Sequence, residues 1–157
     1  MGARQFDYYI FIDYSEDILG YLAIEKKNIA PLLPKITKFA HYNTLKYKPS
    51  YLRAIRKIIK KHKVFDYFCK LKIRQLRDTP EIYADLAEFL KSTRNCCIFI
   101  SIDDKQYSNF ERFIQVVDGD DNMVVKESAL KKGSIEYRLS LILDTLLNIE
   151  RVRREHA

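Results

Sequence analysis

The sequence contains few of the residues that mark flexible linkers, disulfide frameworks or membrane spans. Its 157 residues include four glycines, four prolines, three cysteines and no tryptophan. So little glycine and proline leaves little room for linkers, and three cysteines are too few for a disulfide framework. No apolar run approaches the roughly 20 residues of a membrane-spanning helix, and the N-terminus has no hydrophobic leader. We therefore expect one cytoplasmic domain, residues 1–157, that does not enter a membrane.

The composition is otherwise that of a folded globular protein. Hydrophobic residues make up 47% of the chain and aromatic residues 13%. A chain of this length and composition can bury a substantial core. The histidines and cysteines lack the spacing of a zinc site, and four glycines form no phosphate-binding loop. These observations exclude zinc-finger and nucleotide-loop chemistry and leave the charged residues to carry the function.

Positive charge is concentrated in one segment of the chain. Residues 35–77, called the basic segment below, contain fourteen Lys or Arg and a single acid, Asp66, a local balance of +13. The whole chain carries +7, so subtracting 13 leaves −6 for the remainder. A segment so rich in Lys and Arg is typical of proteins that bind a polyanion, although a solvent-exposed helix face can have the same composition. An acidic remainder is one natural setting for a metal site.

Hydrophobic periodicity predicts an alternation of strands and helices. Strands are expected at residues 6–15, 19–26, 64–73, 96–102 and 123–126. Helices are expected at residues 35–42, from Ser50, from Thr79, at 107–117 and from Ser134, with a turn at 118–121. The first two strands are predicted to form a hairpin, and the continuous apolar run at 96–102 is typical of a buried central strand. Strands followed by such alternation predict an α/β fold with a mixed sheet and helices packed on it.

The order of elements and several short motifs resemble the ribonuclease-H-like superfamily. Residues 11–15, Phe-Ile-Asp-Tyr-Ser, resemble its first-strand signature, apolar-x-Asp-x-Ser. Residues 20–24 are similar to the second-strand start of ribonucleases H, and residues 104–107 to the Asp-x-Gln-Tyr after the central strand. The tail at residues 143–146, with arginines downstream, is similar to the final helix of an uncharacterised ribonuclease-H-like family. The resemblance implies a mixed five-stranded sheet flanked by helices, with residues 29–63 as a basic helical insertion after the second strand.

The resemblance also implies an activity and a cofactor. Nucleases of this superfamily hydrolyse phosphodiester bonds with two divalent ions, Mg²⁺ or Mn²⁺, held by carboxylates. The chain also resembles archaeal exonucleases that degrade single-stranded DNA on this fold as ring-shaped trimers. The glycine-rich turn of ribonucleases H is replaced here by residues 15–18, Ser-Glu-Asp-Ile. We therefore expect a single-stranded DNA 3′–5′ exonuclease that forms a homo-oligomer, with a trimer as the implied assembly.

Several aspartates stand where the fold requires metal ligands. Asp13 ends the first strand, and Asp103 or Asp104 ends the fourth, which lies beside the first in this fold. One of this pair is expected to bind metal and the other to cap the next helix. Further candidate acids lie in helices: Asp85, Asp144 and, as a fallback for the fourth acid, Glu136. The interpretation assigns catalysis to Asp13, Asp85, Asp103 and Asp144.

The basic segment supplies the candidate nucleic-acid contacts. Its cations can follow phosphates, and its tyrosines can stack on unpaired bases unless they pack inward. The expected contact residues are Lys46, Lys48, Tyr51, Arg53, Arg56, Lys57, Lys60 and Lys61. Three other functions stay open: a non-catalytic nucleic-acid-binding protein with a degenerate site, a ribonuclease H, and a structural or assembly subunit.

Overall fold

A computed structural model describes residues 5–118 and 122–155 and contains one five-stranded mixed sheet. The strands are β1 (Tyr8–Ser15), β2 (Ile18–Glu25), β3 (Lys70–Gln75), β4 (Cys96–Ile100) and β5 (Met123–Lys126). The helices are α1 (Ile29–Leu32), α2 (Lys48–His62), α3 (Thr79–Ser92), α4 (Asp104–Asp118) and α5 (Ile135–Glu155). The predicted turn at 118–121 lies largely outside the described residues.

The strand order is β3-β2-β1-β4-β5, with its two halves built differently. β1 runs antiparallel to β2, and β2 antiparallel to β3. β4 runs parallel to β1 and to β5. The carboxyl ends of β1, β4 and β5 therefore meet at one edge of the sheet. This arrangement confirms the predicted mixed five-stranded α/β fold.

Two apolar cores cover the two faces of the sheet. Alternate side chains of β1 point to opposite faces because a strand has a two-residue period. Phe11 joins the core that α5 and the insertion cover, whereas Ile10 and Ile12 join the core beneath α3 and α4. Asp13 follows Phe11 by two residues and so lies on the α5 face.

Gly20 allows α5 to lie close to the sheet. It is paired with Asp13 across the β1–β2 hairpin. A Cβ atom at Gly20 would come within 2.9 Å of methyl groups of both Leu143 and Leu147. A larger side chain here would therefore push on the middle of α5.

Two elements differ from the sequence prediction. The predicted helix at 35–42 is absent: that stretch of the described chain has only the ends of two 3-10 helices, Leu33–Lys35 and Tyr42–Thr44. The predicted strand at 64–73 begins only at Lys70, because residues Val64–Tyr67 form a 3-10 helix. Apolar side chains at consecutive positions in that stretch break the two-residue period of a strand. The insertion therefore consists mainly of α2 and of irregular backbone.

No helix within residues 5–118 or 122–155 is long and apolar enough to cross a bilayer.

Candidate active site

Asp13 lies at the carboxyl end of the sheet, on the face covered by α5. The backbone amide of Tyr14 donates a 2.8 Å hydrogen bond to its Oδ1 atom. Burial is the main cause that raises the pKa of Asp13, to about 8, and the neighbouring Glu127 carboxylate adds to it. Asp144 raises the pKa further, whereas a hydrogen bond with Ser101 lowers it. Three carboxyl groups thus converge at this edge.

Glu127 reaches the group because it directly follows β5. β5 is parallel to β4, so the chain leaves the sheet at the same edge as it does after β1. Burial raises the pKa of Glu127, and the Asp144 carboxylate raises it further. Hydrogen bonds with Ser101 and Ser140 and the charge of His41 act in the opposite direction. Glu127 is half-buried, as is Asp13.

Asp144 is presented by α5 on the flank next to the basic insertion. Its Oδ2 atom accepts a 2.9 Å hydrogen bond from the backbone amide of Tyr42. Burial raises the pKa of Asp144, while this hydrogen bond and the charge of His41 lower it. The insertion therefore supplies direct partners of an acidic residue that comes from the other end of the chain.

A cavity of about 280 Å³ opens beside these acids. Its wall includes Glu127, Asp144, His41, Ser101, Ser140 and Lys132. The Nδ1 atom of His41 is buried without a hydrogen-bond partner within the described chain. The cavity therefore combines carboxylates, hydroxyl groups, an imidazole and one lysine.

The donor chemistry at this edge fits a hard divalent cation. Mg²⁺ and Mn²⁺ prefer carboxylate oxygens, and Asp13, Glu127 and Asp144 supply them. Burial is the largest cause that raises the pKa of each of the three acids, and a neighbouring carboxylate adds to it for Asp13 and Glu127. Across residues 5–118 and 122–155, however, no three His, Cys, Asp or Glu side chains are arranged as a preformed ion site. The acids suit an ion in type, and their side chains would have to draw together to hold it.

Asp85 is not brought to this group. It lies under α3 on the opposite face of the sheet, where its Oδ2 atom is 2.8 Å from Lys72 Nζ and its Oδ1 atom 3.6 Å from Lys70 Nζ. Burial acts to raise the pKa of Asp85, but the two lysines outweigh it and lower the pKa. The acid that precedes the apolar face of α3 thus belongs to an ion-pair network, which corrects its expected position beside Asp13.

The two aspartates after β4 have roles at the start of α4. Asp103 Oδ1 accepts a 2.8 Å hydrogen bond from the Gln106 amide, the usual contact of a helix N-cap. Asp104 is 94% exposed and forms an ion pair with Lys126. Asp103 is thus the helix cap of this pair, which corrects its expected role as the metal ligand.

The fallback acid, Glu136, lies in the first turn of α5. Its charge acts on Tyr9, at the end of β1 away from Asp13. Of the acids expected at the site, the structure therefore brings together Asp13 and Asp144. Glu127 joins them from outside the expected set.

The basic segment is divided between two surfaces. Lys70, Lys72 and Arg74 lie on β3, where Lys72 and Arg74 contact Glu81, and Asp85 contacts both lysines. The cations of α2 are different. Arg53, Arg56, Lys57, Lys60 and Lys61 are exposed, and none of them forms an ion pair within the described ranges. The available positive charge is therefore on α2 rather than on the strand.

Two of the three tyrosines of the insertion, Tyr42 and Tyr51, pack inward, whereas Tyr47 is exposed. Tyr42 is buried, with Lys48 Nζ 5.6 Å from its ring centre. The hydroxyl of Tyr51 lies 2.7 Å from Thr145 Oγ1 and donates to the Ala40 carbonyl oxygen at 3.2 Å. Tyr51 therefore attaches α2 to α5, and this corrects its expected position as an exposed base-stacking residue. Lys46 is exposed, as expected for a phosphate contact.

Sequence reasoning missed Glu127, Ser101 and His41. Glu127 follows a strand of the parallel half of the sheet, so the argument that selected Asp13 would also have found it. Ser101 follows β4 for the same reason. His41 had no comparable signal, because it reaches the cavity only through the packing of irregular backbone against α5.

The mixed five-stranded fold is shared with solved structures of two archaeal ribonucleases. The chain is similar to ribonuclease H2 from Pyrococcus horikoshii OT3, with a TM-score of 0.56 and 14% identity over 93% of this chain and 72% of that one. It is also similar to the chain from the PCNA:RNase HII complex of Archaeoglobus fulgidus, with a TM-score of 0.50 and 12% identity over 94% and 73%. The sequence matches no protein-family model and no curated protein.

Proposed function

We propose that this chain is a metal-dependent nuclease whose acidic residues are Asp13, Glu127 and Asp144. The observation that carries the proposal is the convergence of these three acids, from β1, the end of β5 and α5, beside one cavity. Two of them raise the pKa of the third, as expected of a site that receives a compensating cation. A basic helix, α2, is attached to the same helix that presents Asp144.

Asp13, Glu127 and Asp144 would hold Mg²⁺ or Mn²⁺. When bound, two such ions activate a water molecule and neutralise charge on the leaving oxygen of a phosphodiester. The chain's own residues position the acids: the Tyr42 amide holds Asp144, and Ser101 contacts both Asp13 and Glu127. Lys132 on the cavity wall is placed to attract a phosphate.

We propose a single nucleic-acid strand as the substrate, with its phosphates facing the exposed cations of α2. The cations of α2 lie on the side of the molecule that carries the insertion, and the acids lie beside it. DNA degradation from the 3′ end is the specific reaction that we propose, in the cytosol. A ring-shaped trimer is the assembly expected with it, and light scattering measures that mass directly.

Ribonuclease H is the second candidate, because both similar structures are named as ribonucleases H2 or HII. A ribonuclease H must read the 2′-hydroxyls of RNA beside a DNA strand, whereas base stacking on a protein needs unpaired bases. The two functions therefore differ in the substrate that is cut.

One gel series separates the candidates. Single-stranded DNA, duplex DNA and an RNA–DNA hybrid, each labelled at the 5′ end, are incubated in Mg²⁺, in Mn²⁺ and in EDTA. We expect a ladder that shortens from the 3′ end on single strands and depends on metal. Internal cuts within the RNA of the hybrid would instead establish ribonuclease H. Binding without metal-dependent cutting of any substrate would establish the non-catalytic alternative.

A further inference from the structure

The basic segment keeps two strongly exposed aromatic side chains. Phe39 and Tyr42 are buried, and Tyr51 is held by hydrogen bonds to Ala40 and Thr145. Tyr47 is 72% exposed and Phe65 is 50% exposed. If an unpaired base stacks on this segment, these are the two rings most open to it, and they have different surroundings.

The end of α2 fixes the position of Phe65. Lys63 adopts the left-handed conformation at φ 50°, and its amide donates to the carbonyl oxygens of Ile59 and Lys60. This cap ends the helix and starts the short 3-10 helix Val64–Tyr67, in which Val64 is buried. Phe65 therefore turns outward, with the edge of its ring system against Phe68 at 6.2 Å between centres and 74° between planes.

Phe65 borders a cavity of about 470 Å³ between α2 and α5, called the Phe65 pocket below. Ile59, Leu146 and Ile149 supply the rest of its apolar lining. Its charged lining residues are Arg56, Lys60, Lys63 and Asp66. A planar apolar group would fit the lining, and a net positive rim favours an attached anion.

The cations of the pocket are available to such an anion. Arg56, Lys60 and Lys63 are exposed, and none of the three forms an ion pair anywhere in residues 5–118 or 122–155. Asp66 is the single acid of the basic segment, so the rim keeps a positive balance. A nucleotide combines an apolar planar base with a phosphate, and this combination matches an exposed phenyl ring next to free cations.

We propose that the Phe65 pocket binds an unpaired nucleobase of a single-stranded nucleic acid, with Phe65 as the stacking surface and Arg56, Lys60 and Lys63 facing the phosphates. The proposal deepens the nuclease function above and rests on it for the identity of the ligand. It adds a binding site that is separate from the acidic cavity.

The pocket and Asp144 lie on different flanks of α5. At about 100° per residue, Leu146 and Ile149 are roughly 200° and 140° around the helix from Asp144. The pocket therefore holds a base remote from the bond that is cut. The Phe65 pocket anchors the nucleic-acid strand. Removing the pocket should therefore weaken substrate binding without changing the rate of the chemical step.

The test measures the Kd of a 5′-labelled single-stranded DNA in EDTA, where cleavage is prevented. The full chain is compared with Phe65→Ala, Phe65→Leu and Phe65→Tyr. Tyr47→Ala is the matched control, because it removes a still more exposed ring from the same segment outside the pocket. Stacking of one base is lost in Phe65→Ala, so we expect Kd to rise at least about fivefold. Phe65→Leu should also weaken binding, while Phe65→Tyr and Tyr47→Ala should bind as the unmodified chain does.

A strand with abasic sites throughout identifies the contact as base stacking. Phe65→Ala should have no effect on the Kd of that strand, because its phosphates still meet the cations. In Mg²⁺, Phe65→Ala should raise KM on long strands and leave kcat unchanged. Phe65→Tyr and Phe65→Leu keep a large apolar side chain at this position, so they remain informative if Phe65→Ala unfolds.

Three results would overturn the proposal. An unchanged Kd in Phe65→Leu and Phe65→Ala would show that no base is bound there, and an equal loss in Tyr47→Ala would show that the effect is not specific to the pocket. Dissociation of a self-associated protein by Phe65→Ala, without a change in Kd, would assign the pocket to contacts between copies of this chain. If the Phe65 variants still cleave in Mg²⁺ and their Kd is unchanged, the base-binding proposal fails and the proposed nuclease function stands. If instead the unmodified chain cleaves no substrate, the proposed nuclease function fails, and the Kd values in EDTA still test base binding.

Discussion

The backbone amide of Tyr42 donates a 2.9 Å hydrogen bond to the carboxylate of Asp144. Tyr42 belongs to the basic insertion, and Asp144 to the last helix. The contact links the segment that carries the positive charge to the acidic edge of the sheet. Since a backbone amide forms this bond, substitution of the Tyr42 side chain does not remove it directly.

Asp13→Asn should abolish Mg²⁺- or Mn²⁺-dependent cleavage and leave the fold intact. The variant keeps the size of the side chain and removes a carboxylate oxygen from the acidic group. Activity is measured on labelled single strands, and folding by circular dichroism. Asp7→Asn is the control, because Asp7 is exposed just before the other end of β1. Cleavage by Asp13→Asn at the unmodified rate would remove this residue from the site.

Glu127→Gln should cause a comparable loss, whereas Asp104→Asn and Asp85→Asn should retain cleavage. Asp104 is almost fully exposed in an ion pair with Lys126, and Asp85 lies on the other face of the sheet. Asp85→Asn removes the partner of two lysines, so we expect a lower unfolding temperature instead of a loss of activity. Full activity in Glu127→Gln combined with inactivity in Asp85→Asn would reverse the assignment.

In EDTA, Asp13→Asn should become more stable relative to the unmodified chain as the pH rises from about 4 to 8. Burial is the main cause that raises the pKa of Asp13 from the ordinary value of 3.8 to about 8. The folded state then binds a proton more tightly than the unfolded state, so the stability that Asp13 contributes is present below pH 4 and lost as the pH passes 8. Asparagine does not titrate and removes this loss.

The measurement is the difference in unfolding temperature between the two proteins across this pH range. Adding Mn²⁺ should reduce the difference at pH 8, because the ion compensates the ionised carboxylate in the unmodified chain only. A difference in unfolding temperature that stays constant with pH would mean that the pKa of Asp13 is the same in the folded and the unfolded state.

Charge reversal at Lys57, Lys60 and Lys61 should weaken nucleic-acid binding without changing metal affinity. These lysines are exposed on α2, opposite the buried Ile55 and Ile59. A plot of log K against log salt concentration has a negative slope, and each lost phosphate contact should make it less steep by about 0.7 for a single strand. Reversal at Lys91 and Arg94, at the end of α3, serves as the control. An unchanged salt slope would place the strand elsewhere.

The parts of the fold that follow from local periodicity could be predicted from the sequence. The buried apolar run before Asp103 predicts β4, and Pro80 in the first turn predicts α3, because both signals are local. Asp13 could be placed at the sheet edge for the same reason. The prediction that Asp144 lies near Asp13 rests on the resemblance and on the apolar neighbours of Asp144 in the sequence. The predicted cap at Thr79 is wrong: Thr79 is the first residue of α3, and Asp78 occupies the cap position.

The remainder depends on packing between distant residues. Whether Asp85 faces Asp13 or Lys72 is decided by the face of the sheet that α3 covers, and periodicity along α3 does not specify it. The inward position of Tyr51 depends on Thr145, far along the chain. Exposure of Phe65 follows from the left-handed cap at Lys63, which no glycine or asparagine marks in the sequence.

The separation of the two cores by the sheet has a consequence for variation of this protein. The acidic group, the insertion and the Phe65 pocket all lie on the α5 side, whereas α3 and α4 cover the other side with an independent set of apolar contacts. The second core contributes to the stability of the fold without contacting the acidic group through α3 or α4. Substitutions at Ile82, Leu86, Phe110 and Ile114 should therefore change the unfolding temperature more than they change the arrangement of the acidic group.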